Sequence, residues 1–86
     1  MRVVLPSPLF SYTGGQQELD GAGESVAHLL DFLESRYAGM RHRIVDEQDR
    51  IRPHIRFFVN GDSITCLDHR LQADDEVIIV AALSGG

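Results

Sequence analysis

The sequence predicts an α+β domain in which one mixed sheet carries a single long helix across one face. Two observations predict this class: strand-like segments lie towards both ends of the chain, and one amphipathic helical pattern separates them. The 86 residues suffice for one hydrophobic core, because a chain of this size buries about 60–65% of its unfolded surface. We therefore expect one domain over residues 1–83 and a flexible tail at 84–86.

The N-terminal segment is predicted to form a β-hairpin. Residues 1–5 are rich in Val and Leu, which favours a strand, and Pro6 ends that strand. Gly14 and Gly15 can adopt the positive φ angles of a tight reversal. Residues 17–20 then return as a short second strand.

The apolar residues after Ser25 recur with the spacing of a helix. Ser25 is a favourable N-cap residue, and Gly39 is expected to stop the helix. Phe32 falls beside the apolar stripe, so we expect it on the flank. The stripe predicts a helix of about three turns with one buried face. It consists of Val26, Leu29, Leu30, Leu33 and Tyr37.

The second half of the chain supplies the remaining predicted strands. Residues 40–53 form a charged connection, with one helical turn at 41–45. Residues 55–59 form a strand, and an Asn-Gly-Asp turn separates it from a short edge strand at 63–65. Residues 77–83, V-I-I-V-A-A-L, form the most hydrophobic strand. We expect the first and last strands to lie side by side in the centre of the sheet.

Composition argues against several classes of protein. The formal net charge of −5 argues against a nucleic-acid-binding face. The single Cys66 cannot form an intramolecular disulfide or a Cys-based zinc or iron–sulfur site. No apolar run approaches the roughly 18 residues of a membrane span, and the N-terminal apolar segment is too short for a signal peptide. We therefore expect a cytoplasmic protein with no metal and with no nucleic-acid or membrane partner.

Candidates for catalysis are weak. The four histidines, His28, His42, His54 and His69, lack the spacing of metal ligands. His28 is expected to pack at the edge of the apolar stripe. His54 has no neighbouring nucleophile in sequence, and Cys66 is expected to be a partly buried thiol. A small hydrolase that uses His54 or Cys66 is therefore disfavoured.

The terminal Gly85–Gly86 pair has a chemical use. A carboxylate at Gly86 is ionised at neutral pH and needs a better leaving group before it can react. Two residues without Cβ atoms can enter a narrow tunnel, and a chain end costs little to disorder and reorder. A Gly-Gly tail on a rigid domain is therefore suited to carry a carboxyl group into the active sites of other enzymes.

Alternation along the strands predicts an exposed apolar patch near the tail. With one face under the helix, residues 77, 79 and 81 point inward, and Ile78, Val80 and Ala82 point outward. In the strand at 55–59, the odd-numbered residues point inward and Phe58 points outward. An exposed apolar patch indicates a protein-binding site, although a one-residue register shift would bury Phe58 instead. Arg56 and Arg70 are candidates for its rim.

The whole chain resembles the ThiS/MoaD family of ubiquitin-like sulfur carriers. The resemblance implies the ubiquitin-like β-grasp fold, with a mixed sheet of four or five strands, one main helix across one face and a flexible Gly-Gly tail. Its marks are the Gly14–Gly15 pair, the Ser25–Val26 helix start with Leu29–Leu30, F-V-N-G-D at 58–62, D-E-V at 75–77 and the terminal S-G-G.

The resemblance implies a function as well. In this family an E1-like adenylyltransferase uses ATP to adenylate the C-terminal glycine, and a sulfur donor converts the adenylate into a thiocarboxylate. Carried over, Gly86 is the reactive residue and Gly85 its slender neighbour, no cofactor is bound, and ATP is used by the partner. The chain is then a protein co-substrate, not an enzyme. Its implied partner-binding surface consists of Phe58, Ile78, Val80, Ala82, Leu83 and Ser84.

The sulfur acceptor and two other functions stay open. The acceptor is a biosynthetic enzyme or a synthase large subunit, for molybdopterin, for cysteine or homocysteine, or for a thiolated metabolite. Many family members have Pro where this chain has Ala81 and Gly where it has Asp74, which leaves the subfamily open. A protein modifier would be attached through Gly86 to lysines of other proteins. A plain β-grasp interaction module would be indifferent to a C-terminal tag.

Overall fold

The structure, a computed structural model, describes residues 1–82 and confirms the α+β class. Five strands form one sheet, and the helices pack against one of its faces. The predicted tail at 84–86, and Leu83 before it, lie outside the described residues. The elements in chain order are β1 (Arg2–Val4), a 3₁₀ helix (Ser7–Tyr12), β2 (Glu18–Asp20), α1 (Val26–Arg36), α2 (Met40–Ile44), β3 (Ile55–Val59), β4 (Asp62–Ile64) and β5 (Glu76–Ala81).

The sheet has the order β2-β1-β5-β3-β4. β5 lies in the centre, parallel to β1 and antiparallel to β3. β1 and β2 form an antiparallel pair at one edge, and β3 and β4 form another at the opposite edge. The prediction that the first and last strands lie side by side in the centre is therefore confirmed.

The helix α1 buries the predicted apolar stripe. Val26, Leu29, Leu30 and Leu33 have no exposed surface, and they pack against inward-facing side chains of the sheet. The hydroxyl of Ser25 accepts a hydrogen bond from the N–H of His28 at 3.2 Å, as expected of an N-cap residue. The predicted stripe is confirmed for these four residues, and so is its N-cap; Tyr37, the fifth predicted member, is half-buried just beyond the end of the helix.

The end of α1 differs from the prediction. The helix ends at Arg36, with Tyr37 as its C-cap, whereas Gly39 was expected to stop it. Gly39 has a φ of +93° and instead precedes α2, where its lack of a Cβ permits the left-handed conformation. Phe32 is half-buried on the flank, as predicted.

The hairpin between β1 and β2 has a longer connection than a tight turn. The chain first forms the 3₁₀ helix, which buries Leu9, and only then reverses at Gly14 and Gly15, both with positive φ. Proline is favourable at the start of a helix, because its φ is already helical and its missing N–H is not needed there. Pro8, at the second position of this short helix, therefore helps to begin it.

The connection before β3 contributes to the core. The predicted helical turn is present as α2, one residue earlier than expected. Met40, Ile44 and Val45 are buried, although the segment around them is charged. β4 also begins one residue earlier than predicted, at Asp62.

Hydrogen bonds to Asp75 fix the end of the sheet where β5 begins. One carboxylate oxygen of Asp75 accepts from the N–H of Gln72 at 2.7 Å, and the other accepts from the side-chain amide of Asn60 at 2.8 Å. The N–H of Glu76 donates to the Asn60 side-chain oxygen at 2.9 Å. The bond from Gln72, followed by that from Asn60, lowers the pKa of Asp75 below its ordinary value of 3.8.

We expect Asp75→Asn to weaken the acid dependence of stability. A carboxylate whose pKa is lowered by folding stabilises the native state above its unfolded pKa, and this contribution is lost as the pH falls through the lower folded pKa. The wild-type melting temperature should therefore fall more steeply than that of the variant as the pH drops below 3.8. Thermal unfolding followed by circular dichroism from neutral pH downward measures this, and parallel curves would contradict the assignment.

Candidate functional site

The outer face of the sheet, away from α1, carries three apolar side chains on its central strands. Phe58 and Ile78 are half-buried and face each other across β3 and β5, while Val80 is 40% exposed. We call Phe58, Ile78 and Val80 the outer-face patch. On the inner side, Phe57 is fully buried. The predicted alternation is confirmed, and the register that would bury Phe58 against the core is not adopted.

Strand β1 extends the outer-face patch. Val4 lies beside Ile78 in the parallel register, and it is half-buried on the same face. The strand at residues 1–5 was predicted without a prediction of which of its side chains face the core. In the structure Val3 is fully buried, and strand alternation therefore directs its neighbour Val4 to the outer face.

Charged residues border the outer-face patch at the end where β1 and β5 begin. The guanidinium of Arg2 donates to the carboxylate of Glu18 at 2.7 Å and also to that of Glu76. The hydrogen bond to Glu18, followed by the charges of Glu18 and Glu76, raises the pKa of Arg2 above its ordinary value. This border limits the apolar surface to the half of the sheet that leads towards Ala82.

The chain leaves the sheet at Ala82. Ala81 pairs with Ile55 of β3, and the N–H of Ala82 donates to the carbonyl of His54 at 2.7 Å. Ala82 is exposed, two residues after Val80, so the outer-face patch adjoins the start of the terminal segment. The predicted site residues Leu83, Ser84, Gly85 and Gly86 lie outside the described residues.

Of the two expected rim residues, only Arg56 lies beside the outer-face patch. Arg56 is opposite Val80 in the sheet, and its guanidinium donates to the carbonyl of Pro53 at 2.7 Å. The prediction for Arg70 is wrong, because this residue forms a bridge with Ser25 at the start of α1.

The loop that contains Arg70 is held at the start of α1 by its carbonyl groups. The carbonyls of Leu67 and His69 accept from the N–H groups of Ala27 and Val26, at 2.8 and 3.0 Å. The first N–H groups of a helix have no partner within the helix, so these contacts satisfy them. They also explain why Arg70 lies far along the chain yet beside Ser25.

The candidate nucleophile and bases do not form a catalytic arrangement. Cys66 is exposed, so the prediction of a partly buried thiol is wrong; its thiol lies beside the carboxylate of Asp68, not beside a base. His28 is exposed on α1 rather than packed against the apolar stripe, because it lies two residues after Val26 and therefore points away from the core. His54 is exposed in the turn before β3.

Neither a metal centre nor a membrane span is present in the described residues. Within residues 1–82, no three or more His, Cys, Asp or Glu side chains are grouped so that they can hold a metal ion. None of the helices over the same range has the length and apolar character required to cross a bilayer.

Comparison with solved structures identifies the fold more closely. A chain of the Amycolatopsis orientalis BexX/CysO complex superimposes with a TM-score of 0.90 at 30% identity, with coverage of 99% of this chain and 98% of that chain. The small archaeal modifier protein 1 of Methanosarcina acetivorans gives a TM-score of 0.80 at 26% identity, with coverage of 99% and 94%. The sheet and helices therefore have the ubiquitin-like β-grasp arrangement that the sequence resemblance implied.

Sequence comparison identifies the family. The sulfur carrier protein CysO of Mycobacterium tuberculosis is 27% identical over 89 residues, which covers 98% of this chain and 96% of CysO. The model of the ThiS family matches residues 3–86, nearly the whole sequence. The chain therefore belongs to the ThiS family.

Proposed function

We propose that the protein is a sulfur carrier in which the Gly86 carboxylate is adenylated by an E1-like enzyme and converted into a thiocarboxylate. The observation that carries this proposal is membership of the ThiS family, together with similarity over nearly the full length to a protein named as a sulfur carrier. The Gly85–Gly86 pair is the site of such activation that the resemblance to this family implies.

The proposed chemistry gives an unreactive carboxylate a leaving group. A carboxylate oxygen of Gly86 forms a bond to the α-phosphorus of ATP, and pyrophosphate leaves. A sulfur nucleophile then forms a bond to the acyl carbon, AMP leaves with the electron pair, and a thiocarboxylate remains. The activating enzyme binds the ATP, so this protein is a co-substrate that supplies the carboxyl group and not the catalyst.

The position of the outer-face patch supports delivery of the tail to a partner enzyme. The patch adjoins Ala82, and the four residues after Ala82 can span at most about 14 Å. A partner that binds the patch therefore holds the carboxyl group within a short radius of its own surface. We propose that the E1-like enzyme and the sulfur-accepting enzyme contact Phe58, Ile78, Val80, Ala82, Leu83 and Ser84.

The test is the intact mass of the untagged protein, purified from its organism of origin under reducing conditions that avoid hydrolysis. We expect a species heavier by one oxygen-to-sulfur exchange, localised to Gly86 by fragmentation. Because thiocarboxylates hydrolyse, a sample without this species is incubated with the activating enzyme of the same organism, ATP and sulfide. A protein that stays unmodified after this incubation would contradict the proposal and favour an interaction module.

A protein modifier is the second candidate, supported by the similarity to small archaeal modifier protein 1. Both functions begin with adenylation of Gly86, and they differ in the acceptor. Peptides in which a lysine of another protein is joined to Gly86, detected in cell extract, would identify a modifier. A thiocarboxylate whose sulfur appears in a small metabolite would identify a carrier, and the metabolite would name the pathway.

A further inference from the structure

A groove of about 820 Å³ lies beside β4, the edge strand of the sheet. One wall is β4 with the loop at 65–70, and the others are the start of α1 and the segment at 49–53. Four of the apolar residues that line it are half-buried and leave part of their surface open to the groove. They are Ala27, Ile51, Ile64 and Leu67.

The groove is basic although the protein is acidic. Five of the eight arginines of the sequence line it, whereas only two of the thirteen acidic residues do, Asp49 and Asp68. Three of these guanidinium groups form no ion pair with any carboxylate of residues 1–82. They belong to Arg52, Arg56 and Arg70.

The edge of β4 offers unused backbone hydrogen-bonding groups to the groove. Asn60 and Gly61, with φ angles of 51° and 88°, form a two-residue turn of the type that joins tight hairpins. In this register, the residues that flank the turn exchange hydrogen bonds with β3. The N–H and C=O of Ser63, one residue further along, therefore point away from β3. No backbone hydrogen bond to another segment of residues 1–82 occupies them.

We propose that this groove binds an extended acidic segment of a partner protein, which pairs with β4 as an additional strand. The backbone of the segment exchanges hydrogen bonds with Ser63. Its apolar side chains contact Ile64 and Leu67, and its carboxylates bind the guanidinium groups of Arg52 and Arg70. Backbone pairing supplies affinity in this mode of recognition, and the side chains supply specificity.

Charge disfavours one alternative occupant of the groove, and backbone pairing disfavours another. A second copy of the chain, paired edge to edge through the same groove, would bring two arginine clusters together, and like charges disfavour such a symmetric interface. A nucleic acid would also be attracted by the arginines, but it cannot continue the hydrogen-bonding pattern of a strand, so it would leave the outward N–H and C=O of Ser63 unpaired. The proposal does not depend on sulfur transfer, because Phe58, Ile78 and Val80 do not line the groove. Arg56 lies between the groove and the outer-face patch.

The direct test uses a capped synthetic heptapeptide in which Asp or Glu alternates with Val. Cys66, the only cysteine of the sequence, is exposed and lines the groove, so its alkylation by iodoacetamide reports occupancy. We expect the peptide to slow alkylation of Cys66 and to shift the NMR signal of the Ser63 amide. Two control peptides should each bind at least about ten-fold more weakly. One has Lys in place of each acidic residue, and the other has an N-methylated central residue.

Variants of the protein separate the two sources of affinity. Ser63→Pro removes the outward N–H while leaving the pairing with β3 intact, since Pro is tolerated where an edge strand faces solvent; Ser63→Ala is its control. The double variant Arg52→Gln/Arg70→Gln removes charge, and Arg36→Gln on α1 is the matched control outside the groove. We expect Ser63→Pro and the double variant Arg52→Gln/Arg70→Gln each to bind the peptide about ten-fold more weakly. The two controls should bind it as the wild type does.

Several outcomes would overturn the proposal. Equal binding of the acidic, lysine and N-methylated peptides would show that neither charge nor strand pairing contributes to the affinity. This comparison uses the wild-type protein, so it does not depend on whether Ser63→Pro folds. Unchanged alkylation of Cys66 at saturating peptide would place any binding elsewhere. Concentration-dependent protection of Cys66 without peptide would identify a second copy as the occupant. Stronger protection by a single-stranded oligonucleotide than by the acidic peptide would identify a nucleic acid.

Discussion

Deletion of Gly86 is expected to abolish sulfur loading while leaving the domain folded. The proposed reaction begins at the carboxylate of this residue, and the shortened chain presents its carboxyl group one residue, about 3.5 Å, closer to the sheet. Catalysis depends on atomic positioning, so a displacement of this size removes the carboxylate from the reacting geometry. Addition of one residue beyond Gly86 should have the same effect, because it displaces the carboxylate in the opposite direction.

Intact mass after incubation with the activating enzyme, ATP and sulfide measures this loss. The wild-type protein should gain the oxygen-to-sulfur exchange, and the two altered chains should not. Glu47→Gln is the control, because Glu47 is exposed and lies outside the proposed contact surface. Thermal unfolding should be the same for all four proteins, since the described core lies within residues 1–82. Loading of the chain without Gly86 would show that this residue is not the reactive one.

The sequence predicted those parts of the fold in which local pattern and tertiary burial agree. The helical stripe from Val26 to Leu33 and the alternation of β3 around Phe57 both follow from one side of each element facing the same core. The outer-face patch could be predicted for this reason, since Phe58 and Ile78 had to lie opposite that core once the register was assigned. The tail is different, because its proposed role rests on the family and on its last two residues.

The parts that the sequence did not predict depend on contacts between distant segments. Met40 and Ile44 lie in a charged segment, and they become buried only because α2 packs against the 3₁₀ helix and α1. Cys66 lies in the loop after β4, whose carbonyls accept hydrogen bonds from the first N–H groups of α1, and in this arrangement Leu67 packs towards the core while Cys66 is exposed. The groove beside β4 has the same origin, since it brings residues near 27, 51 and 64 together. The hydrophobic periodicity of a single segment cannot predict such contacts, because they depend on how distant segments pack together.

The adjacent residues Phe57 and Phe58 should separate folding from partner binding. Phe57 is fully buried between the sheet and the helices, so Phe57→Ala leaves a cavity and should cost about 3–5 kcal/mol. This is a large part of the roughly 5–15 kcal/mol that stabilises a small domain. Phe58 is half-buried on the outer face, so Phe58→Ala should lower stability much less.

Binding should show the opposite order. An aromatic side chain at the centre of an interface can contribute more than 1 kcal/mol, so Phe58→Ala should weaken binding to the activating enzyme by about ten-fold. Urea unfolding gives the stability of both variants, and titration of the enzyme with each folded protein gives the affinity. Phe57→Ala, measured where it remains folded, should bind nearly as well as the wild type, because its side chain never reaches the outer face. Binding of Phe58→Ala with wild-type affinity would instead show that the outer-face patch does not contribute to the interface. The terminal segment would then be the main contact.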